Sequence, residues 1–371
     1  MFCKRIVLAT MVAAGLTAPL GAQTTLKGAY HDFFRIGAAL GPEYFTESDA
    51  AGATLVKAQF DSISPENALK WESVHPSPQG FHFGPADSYV EFGVKNHMFV
   101  IGHCLVWHSQ TPRWVFEDEQ GKPLGREELL RRMHDHILAV VGRYRGRVSG
   151  WDVVNEALDE DGTLRQSPWL RIIGEDYIAK AFEYAHEADP KAELYYNDYS
   201  LENEAKRKGG VELIRKLLAQ GVPVTAVGLQ GHYALEWPSI EAVDATITAF
   251  HALGVKVNIT ELDVDVLPRV TRTHTADVSS RAESGADSNP YTAGLPAAQQ
   301  QSLAERYAAL FRVFLKHRDA VTRVTLWCVT DRGSWLNNFP ARGRTNYPLL
   351  FDRERKPKPA FDAVIGEARS R

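Results

Sequence analysis

The sequence predicts an α/β protein, a (β/α)8 barrel built as a single catalytic domain, and three observations carry that prediction. Apolar or β-branched runs centred on Ile36, Val56, Val100, Asp152, Leu194, Val227, Val257 and Thr325 recur along the 371 residues. Stretches with helical spacing separate most of these eight runs, and strands alternating with helices build a parallel sheet. No change of composition divides the roughly 350 residues they occupy, which favours one closed barrel over two doubly wound domains.

The N-terminus stands apart from that pattern. Lys4 and Arg5 precede an uncharged, mostly apolar run from Ile6 to Leu16. It is too short to cross a bilayer, which takes about 20 residues. Small residues follow, ending at Gly21-Ala22, so residues 1–22 read as a secretory signal peptide and residues 23–371 as the catalytic domain. The expected destination is the periplasm or the medium. No later apolar stretch is long enough to span a membrane.

The helical stretches come next. Leu130, Met133, Ile137 and Val140 recur at helical spacing within Glu127–Tyr144. Tyr177–Ala188, Glu212–Gln220, Ile240–Leu253 and Gln299–His317 read the same way. Pro190, Gly221 and Gly254 stand where helices stop. Residues 268–298 break the alternation: rich in Thr, Ser, Ala, Asp and Pro, they read as an exposed loop near the barrel mouth after the seventh strand.

Composition narrows the function. Lys and Arg total 42 against 46 Asp and Glu, a net charge of −4 that points to neither nucleic acid nor an anionic membrane. Three cysteines exclude a disulfide scaffold and a multi-cysteine zinc site. His103 and His108 lack the spacing of common metal sites, and no Gly-x-Ser-x-Gly elbow is present. Neither a metal nor a cofactor is expected.

Barrel enzymes place their chemistry at the C-terminal ends of the strands. Here most runs end in acids, amides, His or Trp: Glu66-Asn67 with Lys70 after the second, His103 and Trp107-His108 on the third, Asn155-Glu156 on the fourth, Gln230-Gly231-His232 on the sixth, Glu261-Leu262-Asp263 on the seventh and Trp327 on the eighth. Strands four and seven lie across a barrel from each other, so Glu156 and Glu261 face one cleft. Glycosidic cleavage needs such a pair, one to protonate the leaving oxygen and one to attack the anomeric carbon or activate water. Glu261 and Asp263 are two apart and share a strand face. His232 is within reach of both, which would keep Glu261 ionised and oriented as a nucleophile. Asn155 and Glu156 are adjacent, so the chain must bend for both to reach the pocket. Trp107, Trp327 and Trp335 suit the C–H faces of sugar rings.

The motifs Gly102-His103-x-Leu105-Val106-Trp107-His108, Trp151-Asp152-Val153-Val154-Asn155-Glu156, Ile259-Thr260-Glu261-Leu262-Asp263 and Leu326-Trp327-x-Val329-Thr330-Asp331 resemble those of the endo-β-1,4-xylanases of glycoside hydrolase family 10. The resemblance runs from about Tyr30 to about Ile365. It implies a (β/α)8 barrel that hydrolyses xylan and xylo-oligosaccharides with retention, acts without a cofactor and is a monomer. Glu156 then matches the acid/base and Glu261 the nucleophile. Lys70, His103, Trp107, Asn155, Gln230, His232 and Trp327 match residues around the sugar at the cleavage point. Glu66, Asn67, Gln110 and Trp335 match those around the next sugar on the non-reducing side, with Gln110 and Trp335 along the edge where glucose carries an extra hydroxymethyl group. Two positions depart from the family's pattern: Cys104 replaces the usual Thr and Cys328 the usual Gly. Both are expected to be free, buried and turned away from the pocket. A cellulase on the same barrel and a non-catalytic sugar-binding barrel are the rival readings; the second is disfavoured because both glutamates are present.

Overall fold

A computed structural model of the protein describes residues 24–268 and 288–371. The expected signal peptide, residues 1–22, and most of the 268–298 stretch lie outside the described residues. Eight strands run in parallel: β1 (Arg35–Leu40), β2 (Ser62–Pro65), β3 (Phe99–Trp107), β4 (Gly150–Asn155), β5 (Glu193–Asp198), β6 (Ala226–Leu229), β7 (Lys256–Asp265) and β8 (Val321–Leu326). Each pairs with the next, and β8 returns to β1 with Arg35 opposite Arg323 and Ala38 opposite Leu326, so the sheet closes. A short strand, His232–Ala234, continues β6 after a break at Gln230-Gly231 and lies beside Asp263–Asp265 of β7.

One strand was misplaced. The run around Val56 is helical, within Ala50–Gln59, and Val56 is buried. Its alanines favour helix, and Asp49 caps it by accepting from the Gly52 N–H. The true second strand, Ser62-Ile63-Ser64-Pro65, has one aliphatic residue and no apolar period to announce it. The helices otherwise fall close to their expected places: Arg126–Arg143, Tyr177–Ala188, Ile240–His251 and Ala297–Lys316. The helix read at Glu212–Gln220 begins earlier, at Glu204. Its charged first turns hide it. Lys206 within them is fully buried, 2.9 Å from the Asp198 carboxylate.

The strands bury their outer faces against the helices and keep a largely polar interior. Arg323 of β8 lies 5.5 Å from the ring of Tyr195 on β5. Those strands are not neighbours, so both side chains point into the barrel interior. Asp152, Asn155, Asn197, Thr260 and Glu261 are buried higher in the strands and lead to the mouth.

Gly102 sets the distance between β3 and β4. It lies opposite Trp151 in register, and a Cβ on it would come 2.0 Å from the indole. Any side chain there must displace the fully buried Trp151, next to the His103–Asp152 pair. Gly102→Ala is expected to lower unfolding free energy by about 3 kcal/mol, the upper range for overpacking. A urea titration showing a loss below about 0.5 kcal/mol would mean that Trp151 has room to move.

Candidate active site

The bend expected at Asn155-Glu156 is present. β4 ends at Asn155, and Glu156 adopts a left-handed backbone with φ of 58°. Two hydrogen bonds hold it there: the Glu156 N–H donates to the Asn197 carbonyl at 2.8 Å, and Arg165 Nε donates to the Glu156 carbonyl at 3.0 Å. The turn brings both side chains to the mouth. Gln230 Nε2 donates to Glu156 Oε1 at 2.9 Å, Asn155 Nδ2 reaches the same oxygen at 3.3 Å, and Trp107 Nε1 donates to Oε2 at 2.9 Å. The Glu156 carboxyl is thus lined by uncharged N–H groups.

Glu261 is held differently. His232 Nε2 lies 3.1 Å from Glu261 Oε2, and His232 Nδ1 lies 3.1 Å from Asp263 Oδ1. Trp335 Nε1 donates to the other Asp263 oxygen at 2.7 Å. Burial opposes the imidazolium of His232, but the two carboxylates outweigh it and push its pKa up to about 10. Burial likewise works against the Glu261 carboxylate. The hydrogen bond and charge of His232, with the Asn197 amide, still hold its pKa below the ordinary carboxyl value. Burial pushes Asp263 upward, against His232 and the Trp335 N–H.

Asn197 joins the two halves. Its Nδ2 donates to Asn155 Oδ1 and to Glu261 Oε1, both at 2.8 Å, and its oxygen accepts from Thr260 Oγ1 at 2.6 Å. These contacts fix its amide, and that in turn orients Asn155. Turned over, the Asn155 amide would set an N–H group against Asn197 Nδ2 at 2.8 Å. Sequence reading missed Asn197. The signal was present in Leu194-Tyr195-Tyr196-Asn197-Asp198, an apolar run that ends in an amide and an acid like the others.

The remaining candidates surround this pair. His103 Nδ1 is 2.9 Å from Asp152 Oδ2, a buried partner directly opposite it on β4. The Trp327 ring meets His103 and His232 edge-on, with centroids 5.6 and 6.2 Å away. Lys70 Nζ donates to Asn67 Oδ1 at 2.9 Å and to Gln110 Oε1 at 2.7 Å, and lies 5.1 Å from the Trp107 ring. Burial lowers the Lys70 pKa and raises that of Glu66 nearby. Trp335 stacks on Phe339 at 4.6 Å and leans on His232 at 4.7 Å.

Both cysteines are free and buried. Burial pushes the Cys104 thiol well up and the Cys328 thiol up to about 12. The β3–β4 register shifts between His103 and Val106, across Cys104. Cys328 lies just past β8 with φ of 107°, a conformation suited to glycine, and its sulfur packs over Gly333. Among the described residues, no group of three or more His, Cys, Asp or Glu side chains is placed to hold a metal ion, and no helix is long and apolar enough to cross a membrane.

Comparison with known proteins agrees with this geometry. The model of glycosyl hydrolase family 10 matches residues 25–367. The chain is 42% identical over 364 residues to endo-1,4-beta-xylanase A of Xylanibacter ruminicola, covering 98% of this chain and 97% of that one. It is 41% identical over 343 residues to a beta-1,4-xylanase of Dictyoglomus thermophilum, with 92% and 90% covered. A solved structure of a GH10 endoxylanase retrieved from a sugarcane soil metagenome superposes with a TM-score of 0.89 at 48% identity, covering 92% of this chain and 99% of that one.

The raised pKa of His232 has a measurable consequence. The unfolded imidazole titrates near 6.5 and the folded one near 10. Its contribution to stability is therefore complete below pH 6.5 and is lost as pH rises through about 10. His232→Asn is expected to flatten the decline of unfolding free energy across that window, measured by urea titration at a series of pH values. Parallel declines in variant and wild type would show that His232 is not held charged.

Proposed function

The chain belongs to glycosyl hydrolase family 10, and from that premise we propose that it hydrolyses internal β-1,4-xylosidic bonds of xylan with retention, with Glu261 as nucleophile and Glu156 as acid/base. The observation that carries the assignment is the asymmetry of the two carboxyls. Glu261 is paired with the imidazolium of His232, whereas Glu156 is surrounded by the neutral donors Trp107, Gln230 and Asn155. A nucleophile must stay anionic in a buried site, and a general acid must be able to carry a proton.

In the first step a Glu261 carboxylate oxygen bonds to the anomeric carbon. The glycosidic C–O bond breaks, and the Glu156 proton passes to the departing oxygen. In the second, Glu156 takes a proton from water, whose oxygen displaces Glu261 from the same carbon. Two inversions give net retention. Lys70, His103, Trp107, Asn155, Gln230, His232 and Trp327 line the sugar at the cleavage point, and Glu66, Asn67, Gln110 and Trp335 the next one outward. Asp263 orients His232. Residues 1–22 act as the signal peptide of an exported enzyme, a reading that rests on their sequence pattern, and the expectation of a monomer rests on the family resemblance.

The stereochemistry tests the mechanism. Proton NMR of the first-formed product is expected to show the β-anomer. Glu156→Ala should slow substrates with poor leaving groups by at least about 100-fold more than activated aryl glycosides. The α-anomer first, or equal losses on both substrate types, would overturn the assignment.

Choice of xylan over cellulose rests on Trp335 and Gln110 along the sugar edge. Trp335 is pinned by its bond to Asp263 and its stack on Phe339, so it cannot swing aside easily for a hydroxymethyl group. A conflict of about 3 kcal/mol would discriminate roughly 100-fold. Trp335→Ala should raise activity on aryl cellobiosides relative to xylobiosides. Release of cello-oligosaccharides from cellulose by the wild type, at rates like those on xylan, would favour the cellulase reading.

A further inference from the structure

We propose that Glu72, an exposed acid on the rim of the cleft, is a positioning residue for the second sugar on the non-reducing side of the substrate: its carboxylate fixes the Gln110 amide. The inference rests on the reading of Gln110 as a sugar-binding residue and adds the group that holds it in place.

The geometry is a chain of four side chains. Glu72 Oε1 accepts from Gln110 Nε2 at 2.6 Å. Gln110 Oε1 accepts from Lys70 Nζ at 2.7 Å, and Lys70 Nζ also donates to Asn67 Oδ1 at 2.9 Å. Gln110 Nε2 approaches Asn67 Oδ1 only weakly, at 3.4 Å. The Gln110 amide is therefore spanned by a carboxylate on its nitrogen and an ammonium on its oxygen. Both bonds are charge-assisted, the class that holds a partly exposed side chain against water.

The backbone shows why Gln110 needs support. It sits in a left-handed turn after β3 with φ of 46°, an uncommon conformation for a side-chain-bearing residue. Thr111 Oγ1 braces the turn by donating to the Trp107 carbonyl at 2.8 Å. The Glu72 N–H donates to the Gln110 carbonyl at 3.1 Å, so Glu72 grips both the main chain and the side chain of one residue. Glu72 itself has a fixed base. It follows Lys70 and Trp71 in the helix Trp71–Val74, and Trp71 is buried with its ring stacked on His136 at 3.5 Å and 4°. Truncation of Glu72 to Ala keeps the main-chain bond and removes only the carboxylate.

The test compares aryl β-xyloside, which holds one sugar on the non-reducing side, with aryl β-xylobioside, which holds two. Glu72→Ala is expected to raise KM for the xylobioside about tenfold, to change kcat less than about twofold and to leave the xyloside unaffected. Glu72→Gln keeps an acceptor oxygen at the same place and should recover most of the loss. The double variant Glu72→Ala/Gln110→Ala should be no worse than Gln110→Ala alone, because the two residues act as one unit. Equal losses on both substrates, additive effects in the double variant, or no effect of Glu72→Ala where Gln110→Ala has one, would overturn the role of Glu72. If Gln110→Ala itself leaves the xylobioside unchanged, the reading of Gln110 as a sugar-binding residue fails and this inference falls with it.

Discussion

The pocket depends on how a carboxylate keeps its charge while almost fully buried. Removing Glu261 from water costs several kcal/mol unless a counter-charge and well-aimed hydrogen bonds replace the solvent. His232 supplies the charge and Asn197 a further donor. His232 in turn needs Asp263, and Asp263 takes its second donor from Trp335. A single electrostatic requirement therefore reaches from β7 to the extension of β6 and on to the loop after β8. It also explains the break at Gln230-Gly231. The carbonyls of these two residues accept from the N–H groups of Glu261 and Asp263, at 2.7 and 3.2 Å, while Gly231 turns through φ of 82° to deliver His232 alongside β7.

Glu156 presents the opposite problem, since a general acid must gain and lose a proton in each cycle. A cation against it would fix it as an anion. Its hydrogen-bonding neighbours Trp107, Gln230 and Asn155 are uncharged donors that fix its position. The left-handed backbone of Glu156 is the strained element of the site. Arg165 and the Asn197 main chain stabilise it from outside the pocket, so the strain and the chemistry are carried by different groups.

How much of this was legible depended on whether a feature leaves a mark in the local sequence. The two glutamates, the Glu261-x-Asp263 spacing and the bend at Asn155-Glu156 were legible because each follows from strand alternation and barrel order. The strand Ser62–Pro65 was not, since its inward serines face a polar barrel interior and carry no apolar period. Val56 drew the assignment to the adjacent helix instead. Asn197 was overlooked although its strand end resembles the others. Glu72 was beyond reach: its partner Gln110 is 38 positions away and meets it only once β2 and β3 are side by side. Local rules find what a strand presents, and long-range pairing decides what holds it.

The two ends of the site are consequently built in different ways. Around the glutamates, the network is buried, and its hydrogen bonds act in a low dielectric where each loss exposes an unpaired polar group. On the non-reducing side, Lys70 rests on the packed Trp71–His136 stack, but its contacts pass through half-exposed Gln110 and exposed Glu72 and Asn67. These bonds lie open to water, whereas His232 holds Glu261 where little solvent reaches. The same barrel mouth thus combines a catalytic pair held by buried partners with a rim whose partners are exposed.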